Sequence, residues 1–350
     1  MRAFLCPVCD SRLYFENTQC TACGTLVGFN ADTCDFEALG DGQPGSMVWC
    51  ENNANSGCNW LVRAGDEQTF CIACQLNELI PPIDDPEQKR RWTDVEIAKR
   101  RLIYSVIRLG IPIYPKRADP SGLSFLILVD AEHGGVGQVT MGHENGVITI
   151  DATEADAHQR EFRRAELDER YRTMVGHMRH ESGHYFWERL AQLDGFLDAF
   201  RAQFGDERED YGEALQRHYE NGAPADWPIS FISAYATSHP WEDWAECFAH
   251  YLHVVDGVET ALSFGISGRK VARSFGQIDD GETASHQDHD PYRTGHVEET
   301  LAHWAGLTVL MNVMSRSLGH EDYYPFIVND AVATKLGFID DWMGRLAQAA

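Results

Sequence analysis

Nine of the ten cysteines lie within the first 74 residues, eight of them in pairs, and this limits the fold of the chain more than any other feature. Cys6-Pro-Val-Cys9 and Cys20-Thr-Ala-Cys23 form two CxxC knuckles with ten residues between them. That is the spacing of a zinc ribbon, in which four thiolates close a tetrahedron around one Zn²⁺. A second set follows as Cys50, Cys58, Cys71 and Cys74, and the turn formers in 51–57 let the chain fold back to bring Cys50 and Cys58 together. Two structural zincs are therefore expected. Cys34 lacks a CxxC partner, and Cys247 stands far away in the chain. Short strands are expected at Ser11–Phe15 and Thr25–Phe29. Ribbons this small are expected to have almost no apolar core, so that metal holds them together.

The rest of the composition narrows the class of partner. Met1–Leu5 runs straight into Cys6 with no signal-peptide core, and no apolar run approaches the ~20 residues of a membrane span. A cytoplasmic location is expected, where paired cysteines serve metal binding and not disulfides. The formal charge of −25 repels phosphate backbones and anionic membranes. Residues 1–80 carry only Arg2, Arg12 and Arg63 against ten acidic side chains, which disfavours a nucleic-acid role for the ribbons. Neither nucleic acid nor membrane is expected as a partner; a cationic or neutral substrate is more natural.

Leu79–Pro86 is proline-rich and acidic and reads as a linker. Thr93–Leu109 then reads as an amphipathic helix, with Thr93 as N-cap and Glu96 completing a capping box. Leu123–Val129 fits a buried strand, and Gly146–Asp151 alternates like a strand that could form an edge beside a cleft. The expected division is a double zinc ribbon over 1–80, a linker and connecting helix over 81–120, and a second domain over 121–350. The fold class is α+β, the second domain being mostly helical with a small sheet.

Chemistry concentrates in His180-Glu181-Ser182-Gly183-His184. Glu166–Arg189 has no proline and has apolar residues at helical intervals, so the motif lies on a helix. His180 and His184, four apart, share one face and can bind a single Zn²⁺, with Glu181 beside the open position. The arrangement is that of a zinc peptidase. Such a site needs a third protein ligand. The candidates lie in Tyr235–His253, where Pro240 can open a helix and Glu242, Glu246 and His250 recur at four-residue intervals. His177 reads as a neighbour of the motif, and Trp187, Trp241 and Trp244 read as helix packing. His286, His289 and His296 read as parts of a solvated polar loop.

The two segments Gly176–Glu188 and Tyr235–His253 resemble the gluzincin-type peptidases, in which a glutamate on a second helix completes the HExxH site. In the lethal-factor and Pro-Pro endopeptidase branch, the metal glutamate follows a catalytic tyrosine by seven residues and precedes by four a glutamate that supports a ligand histidine. Tyr235, Glu242 and Glu246 stand at those intervals. The aminopeptidase register would instead make Glu246 the ligand, before Cys247-Phe248-Ala249; the first register is preferred because it accounts for all three residues. The whole chain is similar to a bacterial family of zinc-binding metallopeptidases with an amino-terminal zinc ribbon, and 312–320 and 324–328 resemble that family's carboxy-terminal segment.

The resemblance implies a zincin-like domain holding one catalytic Zn²⁺ on His180, His184 and Glu242. Glu181 would act as general base on a zinc-activated water, and Tyr235 or His239 would steady the oxyanion. The expected substrate is a peptide or protein. The alternatives are a zinc hydrolase of a non-peptide amide or ester, and a silent zinc-ribbon scaffold.

Overall fold

The computed structural model describes residues 1–130, 139–166, 173–274 and 289–349. Contacts divide the chain into two compact units, Met1–Met178 and Arg179–Ala350. Helices dominate and the sheets are small, giving an α+β fold.

The first unit starts with three two-stranded antiparallel sheets. Strands β1 (Phe4–Leu5) and β2 (Arg12–Leu13) pair, as do β3 (Val27–Asn30) and β4 (Asp35–Ala38), and β5 (Met47–Trp49) with β6 (Leu61–Arg63). Between β5 and β6 the turn formers make one short helix, α1 (Asn53–Ser56), and α2 (Ile72–Gln75) carries Cys74. The expectation of an almost coreless ribbon is overturned. Phe4, Phe15, Phe29, Phe36 and Trp60 are buried together, with Phe29 and Trp60 centroids 4.9 Å apart. Tyr104 closes this cluster from helix α3 (Pro86–Arg108), its ring 5.3 Å from Phe15. Edge-to-face rings add to area burial, so the ribbons rest on aromatic packing as well as on cysteines.

Helix α3 begins earlier than expected. Asp85 is the N-cap, its carboxylate accepting from the amides of Glu87 and Gln88, and Pro86 fills the first helical position. The acidic, proline-containing linker is thus itself a helix start. Thr93 lies inside the helix and bonds back to the Lys89 carbonyl, while Glu96 is fully buried and no capping-box member.

Strand β7 (Asn77–Leu79) joins a four-stranded sheet with β8 (Ser124–Leu128), β9 (Gly142–Glu144) and β10 (Val147–Asp151), in the order β7-β8-β10-β9. Phe125, Ile127, Ile148 and Ile150 are fully buried in it. The expected edge strand is therefore internal: β10 pairs with β8 on one side and β9 on the other. Asn145 and Gly146, both at positive φ, form a two-residue hairpin turn that brings β9 back along β10. Helix α4 (Ala157–Glu166) follows. The expected helix over 166–189 is described as α5 (Met174–Leu190), within which the two units divide; residues 167–172 lie outside the described residues.

The second unit is helical: α6 (Phe196–Phe204), α7 (Tyr211–Asn221), α8 (Pro240–Ser263), α9 (Gly268–Ser274), α10 (Val297–Ser317) and α11 (Asp330–Ala349). Its axis is α8, which is mostly buried along its length. On one side Trp244 packs among Phe196, Phe200 and Phe204. On the other, Val254 and Val258 pack with Trp304, Leu307 and Tyr324. The α11 residue Lys335 reaches into this core to pair with Asp243 at 2.6 Å and to donate to the Ser230 carbonyl. Helices α5 and α8 meet at Gly183: a Cβ there would stand 3.0 Å from Ala245 Cα and 3.2 Å from Phe248 Cβ. Trp244 fastens the crossing by donating to the Gly183 carbonyl at 2.8 Å.

Candidate metal centre

Three clusters of metal-binding side chains form among the described residues: Cys6/Cys9/Cys20/Cys23, Cys50/Cys58/Cys71/Cys74, and His180/His184/Glu242. In the cysteine clusters, the sulfurs of Cys6 and Cys23, Cys9 and Cys20, and Cys58 and Cys71 are each 3.7 Å apart. A tetrahedron with zinc–sulfur bonds of about 2.3 Å has edges of about 3.8 Å, so the spacing suits zinc and is far too long for a disulfide. None of the ten cysteines, all of them among the described residues, is in a disulfide. The second cluster also has a charged surround on α3. Arg100 acts electrostatically on Cys58, Cys71 and Cys74, and Cys74 Sγ lies 3.9 Å from the Glu96 carboxylate. Glu96 is itself paired with the buried Lys99 at 2.6 Å and accepts from the Trp92 indole.

The third cluster is assembled by α5 and α8. Helical spacing puts the His180 and His184 rings 5.1 Å apart on one face of α5. Pro240 opens α8 with His239 as N-cap, which puts Glu242 in the first turn, where the helix dipole favours a carboxylate. His180 Nε2 lies 3.0 Å from Glu242 Oε2, and His184 Nε2 lies 3.6 Å from Glu242 Oε1. Zinc bonds to nitrogen and oxygen of about 2.0–2.2 Å place tetrahedral ligand atoms about 3.4 Å apart, close to the 3.0 Å between His180 Nε2 and Glu242 Oε2.

The hydrogen bonding supports the same fit. His180 Nδ1 lies 2.8 Å from Glu246 Oε1, and a carboxylate can only accept, so Nδ1 carries the proton. The Nε2 lone pair then faces Glu242 Oε2, which is buried without a hydrogen bond. His180 Nε2 and Glu242 Oε2, 3.0 Å apart, need a cation between them, either a second proton on the His180 ring or a metal ion. Burial pushes His184 down to about 4, keeping it neutral as a ligand must be. Burial opposes charge on Glu242, yet the histidines beside it hold its carboxyl down at about 2. At His180 burial favours the neutral ring, but Glu242 and Glu246 on either side outweigh it and raise the imidazole well above its usual range. Burial pushes the Glu181 carboxyl up to about 7, a proton affinity poised for exchange with water near neutrality.

The other sequence candidates fall into place around this cluster. Glu246 is outside the ligand group and holds His180 from behind. The Tyr235 ring lies 6.1 Å from His180. His239 is occupied as a cap: Nδ1 accepts from the Trp241 amide and Nε2 donates to the Glu209 carbonyl, so it is no spare oxyanion donor. His250 accepts or donates through Nδ1 to the Tyr324 hydroxyl at 2.7 Å, within the core. His177 lies 3.8 Å from Glu154. Trp187 packs against Trp241 at 5.3 Å, and Cys247 is buried beside Asp243, as helix packing requires. Of the polar-loop histidines, His286 lies outside the described residues and His296 is exposed at the start of α10. His289 departs from the expectation, being buried beside Thr300 and stacked on His303.

Two contributors carry no motif. Tyr211 donates to Glu242 Oε1 at 2.7 Å, and Ser233 donates to Glu246 Oε2 at 2.6 Å. They stand 31 and 13 residues before their partners, where no helical spacing marks them.

Comparisons with known proteins place the chain in a family. Residues 88–342 match the family described as "Putative zinc-binding metallo-peptidase", and residues 3–85 match a zinc-ribbon domain. Uncharacterised proteins of Mycobacterium tuberculosis (strain H37Rv) and Mycobacterium bovis are each 39% identical over 349 residues, covering 99% of this chain and 96% of theirs. No solved structure matches. With its full-length relatives, its zinc ribbon and its cysteine clusters, the chain belongs to this family of zinc-binding metallopeptidases.

Proposed function

We propose that the protein is a zinc-dependent peptidase whose catalytic ion is held by His180, His184 and Glu242, with two further zincs on the cysteine clusters. The observation that carries this reading is the convergence of His180, His184 and the buried Glu242 carboxylate in one cluster, with His180 Nε2 3.0 Å from Glu242 Oε2. When bound, zinc supplies Lewis acidity, which makes a water lose its proton near neutral pH and polarises a carbonyl. Glu181 takes that proton as the water attacks the peptide carbonyl, and passes it to the departing amine. Tyr235 donates a hydrogen bond to the carbonyl oxygen as charge grows on it. Glu246, held by Ser233, keeps the proton on His180 Nδ1 and so keeps Nε2 free as a ligand.

The test combines a metal count with cleavage of a peptide library, with and without chelator. Wild type is expected to hold three zincs and to cleave. Glu181→Gln is expected to keep all three and to lose activity by about 10²- to 10⁴-fold. Unchanged cleavage by that variant would sink the mechanism, two zincs would point to a scaffold, and cleavage of esters alone would point to a non-peptide substrate.

A further inference from the structure

We propose that Tyr211 is a positioning residue of the His180/His184/Glu242 centre, restricting Glu242 to one metal-facing oxygen. The inference rests on the zinc reading above. Glu242 offers two oxygens of equal chemistry, and a carboxylate near zinc can bind through one or both. Here they are distinguished by their neighbours. Oε1 accepts the Tyr211 hydroxyl at 2.7 Å, whereas Oε2 is buried and turned to the cluster itself, 3.0 Å from His180 Nε2. An oxygen that already accepts a short hydrogen bond is the poorer metal ligand. Oε2 is left as the ligand, and the position that a second carboxylate oxygen would take stays open for water or substrate.

Tyr211 is 38% exposed, and its phenol is held by the neighbours it has. Tyr211 is the first residue of α7, directly after its N-cap Asp210, whose carboxylate accepts from the Glu213 amide. Its ring packs edge-on to His239, centroids 5.2 Å apart, and against Trp241 at 6.0 Å. His239 ties the segment down again through Nε2, which donates to the carbonyl of Glu209, two residues before Tyr211. His239 is also the N-cap of α8, three residues before Glu242. One imidazole thus registers the start of α7 against the start of α8, and Tyr211 spans the gap between them. Rigid support of this kind is what holds a ligand to the tolerance a metal centre needs.

Tyr211→Phe keeps the ring and removes only the donor. Zinc affinity of the third site, measured on the full chain by competition with a chelator, is expected to fall by about 10- to 100-fold. The four-cysteine sites are expected to keep their affinity and serve as the internal control. With Co²⁺ in the third site, Tyr211→Phe is expected to lose visible d–d intensity as both oxygens of Glu242 bind and coordination rises from four to five. A merely structural role for Tyr211 would leave that spectrum unchanged. Wild-type affinity together with a wild-type spectrum overturns the proposal. Should Tyr211→Phe fail to fold, His239→Asn, which retains a capping side chain but loses the Glu209 bond, is judged by the same two readouts. None of these depends on peptide cleavage, so a protein that cleaves nothing still decides the role of Tyr211.

Discussion

The cysteine clusters and the histidine–glutamate cluster solve opposite problems with the same kind of atom-by-atom convergence. Each cysteine cluster brings four sulfurs together, with Sγ–Sγ distances of 3.7 Å that suit a closed tetrahedral site. The third site gathers three ligands from two helices and surrounds them with hydroxyls and carboxylates that aim them. A closed set can only hold a fold; an open set held by outside supports can do chemistry. The supports differ accordingly. Behind the second cysteine site stand the buried charges Glu96, Lys99 and Arg100, whereas behind the third site stand Tyr211, Ser233 and Glu246.

The largest way to break this contrast is Cys58→Ala. Structural zinc in small domains is worth about 10–16 kcal/mol, so the variant is expected to lose one zinc and the amide-exchange protection of 45–80. Retained protection would show that the aromatic cluster holds the region without metal. Next comes Glu96→Gln, which leaves Lys99 buried without its counter-charge and is expected to cost about 3–5 kcal/mol in denaturant unfolding, with the metal count unchanged. A neutral result would remove the charged surround from the account of the ribbon site.

On the other side, Gly183→Ala forces a methyl group against Ala245 and Phe248 and is expected to cost about 1–3 kcal/mol. Zinc binding at the third site should weaken alongside, while the cysteine sites stay full. The smallest effect is expected from Ser233→Ala, which removes one hydrogen bond to Glu246 at a cost of about 1 kcal/mol. Turnover should fall a few-fold with zinc retained, since Ser233 acts two steps from the ion. An effect as large as that of losing a ligand would mean that Glu246 touches the ion itself.

What the sequence revealed and what it hid follow the same division. The ribbon ligands are legible because each knuckle is local, and His180 and His184 because one helical turn fixes their relation. Glu242 is harder, since its helix must first be placed; Pro240 supplies the start, and the preceding His239 caps it. Tyr211 and Ser233 leave no trace, because a hydrogen bond across a fold obeys no spacing rule. The aromatic core behind the ribbons was hidden for a similar reason: Tyr104, which completes it, comes from a helix far along the chain. The start of α3 was misplaced because Asp85-Pro86 reads equally well as linker and as helix cap. The sheet order was misjudged because β9 is only three residues long and gives β10 a neighbour that no pattern announces.

The contact at Gly183 also bears on the ion proposed for the third cluster. With Ala245 Cα where a side chain would begin, the α5 and α8 backbones are already at their closest approach, and the distance from the two imidazoles to Glu242 is a dimension of the scaffold. A small ion with bonds of about 2.0–2.2 Å fits that dimension. A calcium-sized ion, needing about 2.3–2.6 Å and six or more oxygens, would have to push the helices apart against the Trp244 tether. On the proposed reading, a residue that touches no metal helps to set the spacing of the helices that carry the ligands.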